Sequence, residues 1–566
     1  MKKFLLVFLW ATSSIFILHS CKQTSTQHIP IAVVDAEEEE ENEGYDGPME
    51  RAELEMLQTR DLNLGYAPVQ RLSAAIRETE ASKTNSSNNP NFTVLWQERG
   101  PIYDLVGPSN GNTRGGGGYT SGRMAAVLID TLNDPSGNTV IVGGISGGVW
   151  KCTNFLSAVP NWRNVNDYFA NMAISSLCQN PANPSIIYFS TGEATSNADA
   201  QFGKGVWKST DKGESFTQLP ATTNFIRNFK IACDAAGNVF LASRLTNTPA
   251  LNTSGLLRSK DGGVTWVNIT PSALGTVIAT ATCNDIEISS TGKLHASFGY
   301  ATAGATVNPY FTTDPANVTS TSGWTLGTGI RSSGTPLAVR MELACLADTL
   351  YAVTVNTAYN SDSVYKSING GVSWTKQNTA AMPGGILSGQ GWYNETLAIN
   401  PSNSSELMCG GLDAYRSVNN GLTWTRSTFW VTTIPYVHAD HHFIQWMKVG
   451  TESRVIIGCD GGIFISRDNG VNWKDKNRNL GLKQFYAGAI HPAAGSPYLL
   501  AGAQDNGTHA ISNPGLSFSS EVTGGDGMYC YINQQNPSIQ FASYVYNQYR
   551  RSTNGGASWS SVNLNT

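Results

Sequence analysis

SKDGGVTW at residues 259–266 recurs as SINGGVSW (367–374), SVNNGLTW (417–424), SRDNGVNW (466–473) and STNGGASW (552–559), with STDKGESF (209–216) as a variant. Successive copies start 50 residues apart (209 to 259, 367 to 417) or 49 (417 to 466), and the gaps of 108 and 86 each hold two repeats. Degenerate copies fill those gaps, TSTSGW at 319–324 and ISNPGLSF at 511–518, and CTNFLSAVPNW at 152–162 precedes the first clear one. The unit around residue 455 reads as four short strands, HHFIQWMKV, RVIIGCDGG, IFISRDNG and VNWKDK, divided by turn residues. Repeats of about 40–50 residues with four strands each indicate a β-propeller. The chain is therefore expected to be all-β, a β-propeller of nine or ten four-stranded blades over residues 93–566. The alternative is a seven-bladed propeller followed by an incomplete second one. Even spacing through residues 438–475 shows no linker and favours one continuous ring.

The repeated octapeptide is the Asp-box, S-x-D/N-x-G-x-S/T-W. Asp211, Asp261, Asn369, Asn419, Asp468 and Asn554 are placed to accept backbone N–H bonds inside a hairpin turn, which makes them structural. The closing Trp266, Trp374, Trp424, Trp473 and Trp559, with Phe216 in the variant, are expected to pack between sheets.

Composition agrees with turn-rich β structure. Of 566 residues, 57 are glycine, 40% are hydrophobic and only 14% are charged, against roughly 25% charged in an average soluble protein. No basic face is available to neutralise phosphates, so nucleic acid is excluded as a partner. The net charge of −5 is uneven: residues 22–92 carry 14 acids and 6 Lys/Arg, a net of −8, whereas residues 93–566 are at +1. Residues 1–21 join a basic MKK to an apolar stretch and end in Leu18-His19-Ser20-Cys21, which resembles a bacterial lipobox. Lipidation of Cys21 is expected, with the protein held at the outer membrane by acyl chains and exposed at the surface. Glu37 to Glu41 self-repel, and residues 22–92 read as an acidic tether with short helices at 49–63 and 68–82.

From about Trp96 onward the chain resembles the bacterial Asp-box (BNR) repeat propeller proteins grouped with sortilin-like and xyloglucanase-like glycosidase propellers. The resemblance rests on GGGGYTSGR (115–123), GGISGGVWK (143–151), HADHH (438–442), GCDGGIFIS (458–466), GAQDNGTH (502–509) and GGDGMYCYI (524–532). It implies a glycan or protein ligand bound at the central face, or alternatively a glycoside hydrolase acting on a polysaccharide. Xyloglucanase-type enzymes carry a catalytic aspartate in T-D-I-G-G after a GGGG segment. Here the matching stretch is Gly144 to Gly148, and Ser146 takes the aspartate's place. The R-I-P entry motif of sialidases is missing, with Gly122-Arg123-Met124 the nearest feature.

In a propeller the loops before each innermost strand and after each second strand converge on one face. Here they would present Arg123, Glu193, Arg340, Glu395, Asp413, His438, Asp440, His442, Asp460, Asp505, Asp526 and Tyr529 as candidate ligand contacts. Asp505 and Asp526 come from consecutive blades and are the candidate catalytic pair; Asp440 with Asp460 is a second. An inverting glycosidase requires its two carboxyls about 6.5–9.5 Å apart. His438, Asp440 and His442 alternate, so on a strand they would share one face with His441 opposite. Such a set suits a divalent metal, but the preferred reading is a hydrogen-bonded polar ring around the central channel. Neither metal nor cofactor is expected. Eight cysteines beyond Cys21 permit disulfides but equally suit small buried apolar positions.

Overall fold

The computed structural model describes residues 98–562 apart from 107–117, 196, 198–199, 245–254, 301–306, 331–337, 432–433 and 546–547, with a few residues between 57 and 78. Cys21, the Glu37 to Glu41 run and the Ser/Asn-rich stretch before residue 92 lie outside the described residues. The described helical residues between 57 and 78 flank a turn in which the Asp61 carboxylate accepts the N–H groups of Asn63 (2.8 Å) and Leu64 (3.1 Å). Among the described residues no helix is long and apolar enough to cross a membrane.

Nine antiparallel blades follow, built in chain order. Their innermost strands are Met124–Ile129, Ile174–Gln179, Asn228–Cys233, Cys283–Ile288, Arg340–Leu346, Thr396–Asn400, His441–Val449, Phe485–Ile490 and Cys530–Ile532, and the blades are numbered 1 to 9 accordingly. Blades 1 to 7 close into a ring, because the innermost strand of blade 7 packs against that of blade 1. Seven apolar clusters, one for each gap between neighbouring blades, hold this ring together. At the closing gap Val127, Val142 and Trp162 of blade 1 meet Met447, Ile456 and Ile465 of blade 7. The Trp162 indole N–H also donates to Lys476 O (2.8 Å), and Arg454 Nη1 to Ser136 O (2.6 Å).

Blades 8 and 9 pack on each other beyond the closed ring. The nine units counted in the sequence are all present, and the arrangement is the seven-bladed ring with an incomplete second unit rather than one continuous ring. Closure is a property of packing, not of spacing: the nine-residue connection at 476–484, which leaves the ring, is as long as that at 165–173, which stays in it.

Blade 8 contains a fifth strand from far away in sequence. Gly100–Val106 pairs in parallel with Leu516–Thr523 before the chain crosses to blade 1. The crossing segment is sewn to blade 7 and its exit: Ser121 N donates to Gly461 O (2.9 Å), Asn477 Nδ2 to Tyr119 O (2.8 Å) and Lys483 Nζ to Ser121 O (2.9 Å). Gly122 sits where a Cβ would lie 2.1 Å from Leu482 O, so only glycine lets the two backbones touch.

Each Asp-box closes the hairpin between a blade's third and fourth strands. In blade 7 Asp468 Oδ1 accepts Asn472 N (2.8 Å) and Ser466 Oγ (2.8 Å), while Oδ2 accepts Asn472 Nδ2 (2.7 Å). Asn369, Asn419 and Asn554 make the corresponding bonds in their own boxes. Burial nudges Asp211 up, but bonds from Ser209, Ser215 and Glu214 hold it at about 2, so it stays ionised and fully engaged. Trp266, Trp374, Trp424, Trp473 and Phe216 enter the clusters between blades. Asp468→Ala is expected to lower stability by about 1 kcal/mol by removing three hydrogen bonds that fix the hairpin turn, with ligand binding unchanged; an unshifted denaturant midpoint contradicts the structural role. All eight cysteines in the described residues are free thiols, six of them buried.

Candidate functional site

Arg123 immediately precedes the innermost strand of blade 1, and its backbone is fixed by Ile145 N donating to Arg123 O (3.0 Å). Its side chain is 2% exposed, a burial that a guanidinium tolerates only when its donors are matched. Nη2 meets Glu193 Oε1 (3.1 Å) and the Tyr393 hydroxyl (2.6 Å), and Nη1 donates to Gln484 Oε1 (3.3 Å) and Gln504 Oε1 (3.1 Å). Nε lies 3.1 Å from Asp505 Oδ2 and 3.8 Å from Asp460 Oδ2. One side chain thus joins loops from blades 1, 2, 6, 7 and 8.

Asp460 is fully buried behind this hub. Its Oδ2 accepts the Tyr393 hydroxyl (2.8 Å) and its Oδ1 faces His442 Nε2 (2.9 Å), whose ring meets Tyr393 edge to face. Burial alone would raise its pKa, but His442, Arg123 and Tyr393 outweigh that and hold the carboxyl below its ordinary value. Both Asp460 oxygens are engaged by these partners rather than by Asp440. Asp440 instead accepts a hydrogen bond from Asn394 Nδ2.

Asp505 behaves in the opposite way. It adopts a left-handed backbone conformation (φ 56°) in the loop after the second strand of blade 8, and its N–H donates to Asp526 Oδ1 (2.7 Å). Burial, then Asp526, then Asp460 drive its pKa well above the ordinary value, and Arg123 offsets this only in part. Asp505 Oδ2 and Arg123 Nε are close yet misaligned for a hydrogen bond. Two carboxyl groups beside one arginine are thus pushed in opposite directions, Asp460 down and Asp505 up.

His438 Nε2 lies 3.2 Å from Asp505 O, and His441 Nε2 lies 3.1 Å from His438 O. The shared face expected for His438, Asp440 and His442 is not formed: Asp440 is left-handed (φ 62°), the innermost strand begins only at His441, and the three side chains part. Among the described residues no group of three or more His, Cys, Asp or Glu side chains is placed to hold a metal ion. Asp413 lies on the same face but turns into its own blade, where it pairs with Arg426 and accepts Trp430 N (3.1 Å). Tyr529, 47% exposed, follows Asp526 at the start of blade 9, and Phe485 stands half-open beside Gln484.

Arg340 and Glu395 belong to a separate buried cluster between blades 3 and 6. Lys230 Nζ bonds Asp285 Oδ1 (2.7 Å) and Glu287 Oε1 (2.6 Å), and Arg340 Nη2 lies 3.5 Å from Glu342 Oε2. Glu395 has neither carboxyl oxygen hydrogen-bonded, and Arg340 Nε is 4.0 Å away. Tyr393, Gln484 and Gln504 are site residues that the sequence reading passed over. Tyr393 lies in a loop before an innermost strand, the same rule that singled out Glu395 two residues on.

No family model matches the chain. It is 24% identical over 388 residues to a xyloglucanase of Acetivibrio thermocellus, covering 64% of this chain and 38% of that protein. A xyloglucanase from a Paenibacillus species is 23% identical over 393 residues, covering 64% and 31%. The chain thus spans about a third of the length of these curated relatives. Among solved structures, the GH74 xyloglucanase of Xanthomonas campestris matches with a TM-score of 0.54 at 16% identity, over 81% of this chain and 68% of that one. The GH74 enzyme of Niastella koreensis matches with a TM-score of 0.52 at 17% identity, over 81% and 67%. The fold of this chain is a multi-blade β-propeller, similar to that of these GH74 enzymes.

Proposed function

We propose that this protein is a glycoside hydrolase acting on a polysaccharide, with Asp505 as general acid and Asp526 as the base that activates water. The observation that carries the reading is the placing of Asp505 between Asp526, which accepts its N–H (2.7 Å), and Arg123 Nε (3.1 Å), where burial and Asp526 raise the Asp505 pKa above its usual range. In the reaction Asp505 gives its proton to the glycosidic oxygen as the C–O bond breaks. Asp526 takes a proton from the water whose oxygen bonds to the anomeric carbon. Tyr529 and Phe485 offer exposed rings on which sugar faces can stack. The low-identity similarity to xyloglucanases supports the same class of activity. Display at the cell surface through lipid on Cys21 is part of the proposal and rests on the lipobox resemblance.

A binding-only role is the second reading, favoured by Ser146, which stands where the xyloglucanase-type motif has its aspartate. The deciding experiment incubates the full chain with xyloglucan and a panel of other polysaccharides and counts new reducing ends. Hydrolysis is expected, falling roughly 10²- to 10⁴-fold in both Asp505→Asn and Asp526→Asn. Binding without new reducing ends replaces the hydrolase by the binding protein, and wild-type rates in both variants remove these two residues from the mechanism.

A further inference from the structure

Beside the Arg123 hub, on the same face, two arginines lie together with no carboxylate paired to either among the described residues. Arg244 N donates to Arg227 O (2.8 Å), and Arg244 Nη1 donates to the carbonyls of Ala194 (3.3 Å) and Thr195 (3.1 Å), which among the described residues are neutral partners for its charge. Arg227 stacks on Phe202, with Cζ 4.8 Å from the ring centroid, and its guanidinium has no hydrogen-bond or ion-pair partner among the described residues. Burial, then the neighbouring Arg244, push the Arg227 pKa down to about 10. Glu193 is the carboxylate whose field reaches Arg227, and it is already engaged by Arg123 Nη2 (3.1 Å) and Gln201 N (2.8 Å).

This pair is built into the candidate site. The blade 2 loop that carries Glu193 also carries the Ala194 and Thr195 carbonyls and Phe202. Tyr300, against which Arg244 packs (5.3 Å), bonds through its hydroxyl to Trp392 O (2.6 Å), next to Tyr393. Phe202 is 56% exposed, an open apolar shelf under a half-buried cation. Guanidinium forks fit carboxylate and sulfate oxygens, and two adjacent ones favour an anion over water more than either does alone. A neutral sugar here would desolvate two charges and pair neither.

We propose that Arg227 and Arg244 form a subsite for an anionic sugar, one bearing a carboxylate or a sulfate ester, bound with its apolar face on Phe202. This rests on the reading that the face takes a glycan, and it names the substrate class as an acidic polysaccharide.

The test measures retention of the full chain in native gels containing polygalacturonate, carrageenan or xyloglucan, which separate carboxylate, sulfate and neutral polymers. One of the two anionic polymers is expected to bind about tenfold or more tighter than xyloglucan. That advantage is expected to fall about tenfold in Arg227→Gln and in Arg244→Gln, to survive in part in Arg227→Lys, and to shrink with added salt. The Arg227 side chain makes no hydrogen bond among the described residues, so Arg227→Gln carries the test if Arg244→Gln melts early. Equal retention by all three polymers, or an undiminished preference in Arg227→Gln, overturns the subsite and leaves the glycan reading standing. Retention by none overturns both.

Discussion

Arg123→Met is expected to lower the unfolding free energy by about 3–5 kcal/mol, the cost of removing one member of a buried charge network. Asp460 and Glu193, 0% and 7% exposed, would keep their burial and lose their cation. Tyr393, Gln484 and Gln504 would each lose a donor. Met fills much of the same volume, so the loss reports electrostatics and hydrogen bonding rather than a cavity. Arg123→Lys keeps the charge but cannot reach six partners with one ammonium, and is expected to fall between the two. Denaturant titration of the three proteins checks this. A loss below 1 kcal/mol in Arg123→Met means the carboxyls accept protons without cost, and Arg123 is then a ligand-facing group rather than the brace of the site.

Glu395→Gln is expected to act in the opposite direction, raising stability at alkaline pH by up to about 4 kcal/mol. Burial lifts the Glu395 carboxyl to about 8, Arg340 pulls it down only in part, and Asp285 adds to the rise. Because the folded pKa lies above the ordinary 4.5, the folded state binds the proton more tightly than the unfolded chain. The stabilisation is complete below about pH 4.5 and is lost as pH climbs towards 8. Glu342 and Glu287 are raised as well, by burial first, and steepen the same decline. Gln keeps the shape without the ionisation, and Arg340 retains Glu342 and the carbonyls of Gly391 and Glu395. Melting temperatures from pH 4 to 9 should therefore separate progressively, with the variant higher. Parallel curves would show that Glu395 is ionised in the folded ring.

The fold was legible because an Asp-box needs Ser, Asp or Asn, Gly and Trp at fixed offsets to close a hairpin, and so leaves its letters in every blade that keeps it. Ring closure was not, because the apolar surface at the closing gap, Val142 against Ile456 and Ile465, has the same composition as every other gap. The site was legible through loop position: Arg123, Glu193, His442, Asp460 and Asp505 all come from loops or strand ends at one face and do meet. Asp440 was singled out, but the face it was expected to share with His438 and His442 does not form, because a single left-handed residue breaks the period-two alternation that the HADHH reading assumed. Lys230, Glu287 and Glu342 escaped because they lie inside strands, where a polar residue reads as the wet face of a sheet.

The strand Gly100–Val106 has a partner that does not exist when it is made. It pairs with a segment beginning at Leu516, some 416 residues later. At roughly 5–20 residues per second of synthesis, the partner leaves the ribosome about 20–80 s after the strand does. During that interval the seven ring blades can form locally, each from contiguous chain, while this strand remains an unsatisfied edge open to wrong pairing. Blade 8 is thus completed only when its last strand in sequence captures its first, after all seven ring blades have been made, and a chaperone that shields the nascent segment around residue 100 is expected to raise the yield of native protein.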